Sequence, residues 1–482
     1  MSGPTADLIR LYAESDALAL AALVREGQVT PAELTEVAIH LIEQLDPALN
    51  AVTIRVFDQA RARAAAPAGQ GAFAGVPYLL KDMASEAAGM PMTNGHPYMR
   101  HFVGAADTVM VQRIRAAGLN ILGRTNVPEG GWCIATEPPL YGPTLNPWNP
   151  AITPGGSSGG AAAAVAARLV PMAEGSDGGG SIRVPASCCG LVGLKPSRGR
   201  ITYGPGAVDI WFGGVYTLAL TRTVRDTAAF LDAVAGNIPG DPYQPPRPAT
   251  SWLAGLSQKP GRLRIGFTLS TPWGPAFAPE VLAAVQDTVA VLERLGHQVE
   301  EHAFTTDLEG PWFHYNQVLA VQMAAEFDRL ADIIGRPVCS HELLPLNQAL
   351  DARGRSQSAL QYQSHVAAMR RGGQRIAAET ACYDVFVTPT LTQLPRPVGY
   401  WDMHDPDFDR YCATWHDAAF MFAHNISGLP AMSVPAAWTD QGVPVGVQLV
   451  GRYGDEAAIL NLASQLEQAR PWIGQRPPVC AG

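Results

Sequence analysis

Two short segments rich in glycine and serine decide how this chain folds. The first reads Pro154-Gly155-Gly156-Ser157-Ser158-Gly159-Gly160 and precedes an alanine-rich stretch, and the second reads Gly175-Ser176-Asp177-Gly178-Gly179-Gly180-Ser181. Either one alone is typical of a flexible loop whose serine caps a helix. Consecutive glycines also allow positive φ angles and turn several N–H groups toward one point, where a following helix adds unpaired donors. Because the segments bracket one predicted helix and one predicted strand, together they indicate a site that stabilises an oxyanion.

The sequence around these segments alternates short apolar runs with helical stretches. Strands are predicted at residues 76–80, 120–123, 170–173 and 191–194, and helices at 109–117 and 161–167. Buried strands that alternate with helices are typical of a largely parallel sheet. The fold class predicted here is therefore α/β.

The C-terminal half continues the alternation. It contains predicted strands at 263–267, 299–304 and 384–389, a hairpin at 431–438 and 443–450, and helices at 280–295, 315–335, 357–380 and 456–468. No polar or proline-rich linker divides the chain cleanly, so we expect one domain over residues 1–482. Within it we expect a helical part at about 1–70, a core at about 71–235, and a part with substrate-pocket elements at about 260–482.

Composition and charge exclude several classes of protein. Only 16% of the 482 residues are charged, 47% are hydrophobic, and the net charge is −9 with no basic run, so neither a nucleic acid nor a membrane is an expected partner. No stretch approaches the roughly 20 apolar residues of a membrane-spanning helix. The seven cysteines fit reduced thiols. We therefore expect a cytoplasmic protein.

Lys81 ends the apolar run Gly75-Val76-Pro77-Tyr78-Leu79-Leu80. A lysine at the end of a strand most often keeps its amine in water. Desolvation in an apolar setting instead lowers the pKa of the amine and allows it to act as a base. The sequence leaves both interpretations of Lys81 open.

Together these motifs resemble the amidase signature family. The resemblance rests on Lys81, on Gly-Gly-Ser-Ser-Gly-Gly at 155–160, and on Asp-Gly-Gly-Gly-Ser-Ile-Arg-Val-Pro at 177–185 followed by Cys-Gly-Leu-Val-Gly-Leu-Lys-Pro at 189–196. Further matches at 123–126, 146–148, 425–430 and 443–449 extend it over nearly the whole chain. It implies one large mixed, mostly parallel sheet of about eleven strands, covered by helices on both faces.

The same resemblance implies a catalytic triad. Ser181 is then the nucleophile that forms an acyl-enzyme, Ser157 is the bridging acid and base, and Lys81 is the base. The family holds the bridging serine after a cis peptide bond, here between Gly156 and Ser157. No cofactor and no metal are implied.

Further roles follow from the resemblance. The N–H groups of Gly178, Gly179 and Gly180 would form the oxyanion hole, together with that of Ser181. Gly156 and the pair Asp177 and Arg183 would support the nucleophile loop. Five aromatic residues are candidates for the substrate pocket, although such residues more often lie in the core: Trp132, Trp211, Phe212, Tyr216 and Phe313.

Rival interpretations use other residues. Gly156-x-Ser158-x-Gly160 has the spacing of the nucleophile elbow of α/β-hydrolases, with His424 as the histidine, but Pro147, Pro150 and Pro154 precede it where a strand is required. The acidic stretch 405–409 resembles the start of a calcium loop but lacks the required glycine.

Two alternatives remain within the family resemblance. One is the glutamine-hydrolysing subunit of a tRNA-dependent amidotransferase, from which the chain departs at residues 129–135, and the other is a non-catalytic binding protein. We expect a hydrolase of small-molecule amides or carbamates, with esters as further substrates. A monomer or homodimer is the expected state.

Overall fold

The computed structural model describes residues 3–67, 69–258 and 261–482, and it is built around one sheet. The strands are β1 (Val52–Arg55), β2 (Pro77–Lys81), β3 (Asn120–Thr125), β4 (Met172–Asp177), β5 (Val192–Lys195), β6 (Tyr216–Thr221), β7 (Arg264–Phe267), β8 (Gln298–Glu301), β9 (Val385–Pro389), β10 (Ala431–Trp438) and β11 (Pro444–Gly451). They lie side by side in the order β1-β3-β2-β4-β6-β5-β10-β11-β9-β7-β8.

Helices pack around this sheet. They are α1 (Ala6–Glu14), α2 (Ala17–Arg25), α3 (Pro31–Leu45), α4 (Phe57–Ala64), α5 (Val109–Ala116), α6 (Gly159–Ala166), α7 (Arg183–Cys189), α8 (Val224–Val234), α9 (Trp252–Gly255), α10 (Pro279–Arg294), α11 (Glu309–Ile334), α12 (Pro345–Arg355), α13 (Ala359–Thr380), α14 (Phe408–Ala413), α15 (Met421–Ser427) and α16 (Glu456–Ala469). Among the described residues, none of these helices is long and apolar enough to cross a membrane.

The α/β class and the single large mixed sheet of eleven strands are confirmed, but the strands are not mostly parallel. Of the ten strand pairs, four are parallel and six are antiparallel. The crossover through α7 leads from β4 to β5, yet β6 lies between these two strands and runs antiparallel to both. The alternation of strands and helices in the sequence indicates crossover connections. It does not reveal that a later strand, here β6, lies between the two strands that a crossover connects.

The centre of the sheet is buried on both faces. All residues of β2, β4, β5 and β6 are buried, and so are all those of α6. Helix α6 comes so close to the chain at Asn126 that a Cβ on Gly160 would overlap the backbone there. Glycine at this position therefore lets the helix that follows Ser157 press against the edge where β3 ends.

Candidate active site

Lys81 lies at the end of β2 with its side chain fully buried. Its Nζ is 2.8 Å from Ser157 Oγ and 2.9 Å from Ser176 Oγ. Burial lowers the pKa of Lys81 to about 7, although the carboxylates of Glu174 and Asp177 oppose the shift. The amine of Lys81 does not reach water. Because its pKa is about 7, a large fraction of it is neutral near pH 7.

Ser157 and Ser181 lie on neighbouring turns. The peptide bond between Gly156 and Ser157 is cis, as the resemblance implies. The amide of Ser158 donates to the Ser181 carbonyl at 3.3 Å, which holds the two segments together. Within the described chain no hydrogen bond yet joins the hydroxyl of Ser181 to that of Ser157. The structure thus places the Lys81 amine beside Ser157 and the backbone of Ser181 beside that of Ser158, with the Ser181 hydroxyl unpaired among the described residues.

A buried ion pair fixes the loop that carries Ser181. Arg183 donates to both carboxylate oxygens of Asp177, at 2.9 and 2.8 Å, and both side chains are fully buried. Arg183 also donates to Asn425 Oδ1 and Gln448 Oε1, each at 2.7 Å. Burial alone would raise the pKa of Asp177, but the charge and hydrogen bonds of Arg183 hold it well below its ordinary value. The predicted supporting pair is present, with two partners that the sequence analysis missed.

The backbone amides of the glycine loop are not equivalent. The Gly180 amide donates to Asp177 Oδ1 at 2.8 Å, so one of the three predicted oxyanion donors already has a partner. The amides of Gly178, Gly179 and Ser181 have no such partner among the described residues. The Gly178 carbonyl accepts a hydrogen bond from the Tyr315 hydroxyl, which orients this end of the loop.

A cavity of about 440 Å³ opens onto Ser157, Ser176 and Gly178. Its wall is mainly apolar, with charged groups at only four positions: Glu86, Asp209, Glu326 and Arg329. Glu326 and Arg329 neutralise each other in a bidentate ion pair. The apolar residues include Met83, Met92, Met99, Ile210, Met323 and Leu330. Such a cavity favours an uncharged, flexible compound.

Of the five aromatic residues predicted for the pocket, only Trp211 lines this cavity. The indole of Trp132 is buried and donates to Asn347 Oδ1 at 2.6 Å. The Tyr216 hydroxyl donates to the Asn425 carbonyl at 2.9 Å. The remaining two lie on the outer side: Phe212 packs on Tyr362, and Phe313 is 49% exposed. These four residues do not line this cavity, because aromatic rings serve core packing as readily as ligand contact, whereas four methionines do: Met83, Met92, Met99 and Met323.

Two further residues beside Lys81 also escaped the sequence analysis. The carboxylate of Glu174 accepts from the backbone amide of Lys81 at 3.0 Å and from the Ser85 hydroxyl. Glu174 and Ser176 alternate along β4, and their polar side chains could have been noticed because they follow an apolar run with the period of a strand. Burial raises the pKa of Glu174 to about 7.

The α/β-hydrolase interpretation fails on geometry. Ser158 exchanges hydrogen bonds with the backbone of Ser176, and residues 147–157, which lead into it, form no strand. His424 is fully buried, and neither of its ring nitrogens has a partner within the described chain. No group of three or more His, Cys, Asp or Glu residues suited to a metal ion occurs in the described ranges.

Comparison with known proteins agrees with the geometry. Residues 33–460 match the family profile described as Amidase. The chain is 38% identical over 476 residues to the 6-aminohexanoate-cyclic-dimer hydrolase of Paenarthrobacter ureafaciens, covering 96% of each protein. A solved structure of 6-aminohexanoate cyclic dimer hydrolase superimposes with a TM-score of 0.92 at 36% identity, covering 97% of this chain and 99% of that one. A bacterial aryl acylamidase of the amidase signature family gives 0.85 at 28%, covering 95% and 96%.

The buried ion pair leads to a stability prediction. Asp177→Asn leaves the Arg183 charge uncompensated in the interior, so we expect the free energy of unfolding to fall by about 3–5 kcal/mol. Arg61→Gln breaks an ion pair with Glu36 whose side chains are 41% and 38% exposed, and we expect a loss below about 1 kcal/mol. Urea unfolding followed by circular dichroism measures both. Equal losses would contradict the stabilising role of the buried pair.

Proposed function

This chain belongs to the amidase family and is an amide-hydrolysing enzyme, and from that premise we propose that it acts through an acyl-enzyme on Ser181. The observation that carries the proposal is the 2.8 Å approach of the buried Lys81 amine to Ser157 Oγ. An amine whose pKa is about 7 can act as a base near pH 7. Of Ser157 and Ser181, the Lys81 amine contacts Ser157.

The proton moves through Ser157. Neutral Lys81 accepts the proton of the Ser157 hydroxyl, Ser157 accepts that of Ser181, and Ser181 Oγ bonds to the carbonyl carbon of the substrate. The C–N bond breaks as Ser157 returns a proton to the leaving nitrogen. A water molecule then attacks the acyl-enzyme through the same groups and releases the carboxylic acid.

The tetrahedral intermediate carries a negative oxygen that needs hydrogen-bond donors. We assign this role to the amides of Gly178, Gly179 and Ser181, because the Gly180 amide is already bonded to Asp177. Removing one such donor costs about 3–4 kcal/mol of transition-state stabilisation in comparable sites. Gly180, predicted as a third donor, instead fixes the loop.

The cavity suggests the class of substrate. Its mainly apolar wall suits an uncharged amide with an aliphatic or aromatic body. The names of the relatives point the same way, to a cyclic dimer of 6-aminohexanoate and to aryl amides. Carbamates and esters pass through the same tetrahedral species, so we include both in the proposal. The polar side chain of glutamine fits this wall poorly.

Substitution and labelling test the triad. Ser181→Ala, Ser157→Ala and Lys81→Met should each lower kcat by at least about 10³-fold, since each interrupts the same proton path. A fluorophosphonate should label the native enzyme on the peptide that contains Ser181, which mass spectrometry identifies. Ser364→Ala, on an exposed helix face, serves as the control. Labelling of Ser158 in place of Ser181 would rule out this assignment.

The proposed base predicts a pH profile. The lysine acts only when deprotonated, so kcat/KM should fall as the pH drops through about 7. The Glu174 carboxylate raises the pKa of Lys81, and Glu174→Gln should therefore move this acid limb to lower pH. Measuring kcat/KM from pH 5 to 9 checks the direction. A shift to higher pH would show that the limb belongs to another group.

A substrate panel tests the scope of the reaction. Aliphatic amides, anilides, carbamates, esters and glutamine are assayed with the purified chain and no other protein. We expect hydrolysis of amides, carbamates and esters and at least about tenfold lower kcat/KM for glutamine, because its charged and polar groups lose hydration in the apolar cavity. Activity on glutamine alone, gained only with added partner subunits, would favour the amidotransferase alternative.

A further inference from the structure

The cavity wall contains one buried histidine, His96. His96 is 1% exposed, and its Nδ1 makes no hydrogen bond with any described residue. It lines the same cavity as Ser157. His96 has no role in the proposed reaction. The other ring nitrogen, Nε2, lies beside Gly130 in the cavity wall, where a ligand can supply a hydrogen bond.

The turn that carries His96 is tied to the residue after Lys81. The backbone amide of Thr93 donates to Asp82 Oδ1 at 2.8 Å, and the Thr93 hydroxyl donates to the other carboxylate oxygen. Asn94 and Gly95 follow with positive φ angles, and the amide of His96 closes the turn on the Thr93 carbonyl at 2.9 Å. The imidazole is therefore held at a fixed position relative to the proposed base.

The surroundings of the ring fix its protonation state. The imidazole stacks on Tyr98 with ring centroids 4.6 Å apart, and burial lowers the pKa of His96 to about 3, so it is neutral. Its Nδ1 is 3.9 Å from Glu129 Oε1, an oxygen that also accepts from the Leu344 amide and from Asn347. This carboxylate favours the tautomer with the proton on Nδ1. The other nitrogen, Nε2, is then a hydrogen-bond acceptor.

Gly130 and Gly131 lie between His96 and the reaction centre, and the side chains of Met323 and Met83 pack over them. Gly130 and Gly131 both line the cavity, and a Cβ on Gly130 would lie 3.5 Å from His96 Nε2. A Cβ on Gly131 would lie 3.8 Å from Ser157 Oγ. The two α-carbons are about 3.8 Å apart. A substrate in this cavity can therefore place one group at Ser157 and another, a short apolar chain away, at Nε2, with Met83 and Met323 beside the chain.

We propose that His96 Nε2 accepts a hydrogen bond from a second N–H group of the substrate, and that the preferred substrates carry this group, as a secondary amide or carbamate, at the far end of a short apolar chain from the scissile carbonyl. The inference rests on the proposed function of the site. Met92, Met99 and Met323 contact the apolar chain, and the histidine sets where the second polar group has to lie.

Matched substrates and variants test this inference. One substrate has two secondary amides joined by a methylene chain, varied one group at a time to find the best length. Its partner has the second nitrogen methylated, which keeps the carbonyl and removes the donor. For the native enzyme we expect kcat/KM to be about tenfold higher with the N–H compound, mainly through KM. His96→Phe should reduce this preference to below about twofold, and His96→Gln, which keeps an acceptor, should retain more of it.

The control variant is Tyr98→Phe. It keeps the ring that stacks on His96, removes a hydroxyl that has no partner among the described residues, and lies outside the cavity wall. It should retain the native preference. An unchanged preference in His96→Phe, with an unchanged melting temperature, would overturn the inference and leave the proposed function intact. Failure of the native enzyme to hydrolyse either compound or any member of the substrate panel would overturn the proposed function itself.

Discussion

A lysine amine that is buried without an ion-pair partner is favoured in its neutral form, because the charged form loses its hydration. Here the amine of Lys81 contacts two hydroxyl groups, which can donate or accept, and it forms no ion pair with any residue that the structure describes. The fully buried strands β2 and β4 keep water away from it. The rest of the site depends on this constraint, since an amine whose pKa burial lowers to about 7 is packed against Ser157.

A second constraint links this site to the far end of the chain. Ionised Asp177 and Arg183 are both buried, and a buried pair is stable only when its remaining hydrogen-bonding positions are filled. Asn425 from α15 and Gln448 from β11 fill them. Both lie more than 240 residues away in sequence, which is why the nucleophile loop depends on the C-terminal part of the sheet.

The sequence predicts the eleven-stranded sheet and the cis bond before Ser157, whereas four of the five aromatic residues predicted for the pocket do not line the cavity. Residues 170–173 are apolar and indicate a strand, but β4 continues to Asp177 because Glu174, Ser176 and Asp177 find buried partners that no local pattern reveals. The glycine and serine segments at 154–160 and 175–181 are recognisable in the sequence because their turns require glycine at fixed positions, such as Gly155 and Gly180 with positive φ angles. Pocket residues come from several distant segments, and a methionine wall has no distinctive pattern. The sequence does not distinguish His96 as a cavity residue either, because a single histidine at such a position is as typical of a surface or capping residue.

The dependence of Arg183 on Asn425 and Gln448 also affects how the protein is made. During synthesis the segment with Lys81, Ser157 and Ser181 leaves the ribosome long before α15 and β11 exist, so the Arg183 charge then lacks two of its native partners. The nucleophile loop therefore reaches its final order only when the last part of the chain has been added. A growing chain that lacks α15 and β11 therefore carries Lys81, Ser157 and Ser181 without the two hydrogen bonds through which Arg183 holds the Ser181 loop in the folded protein.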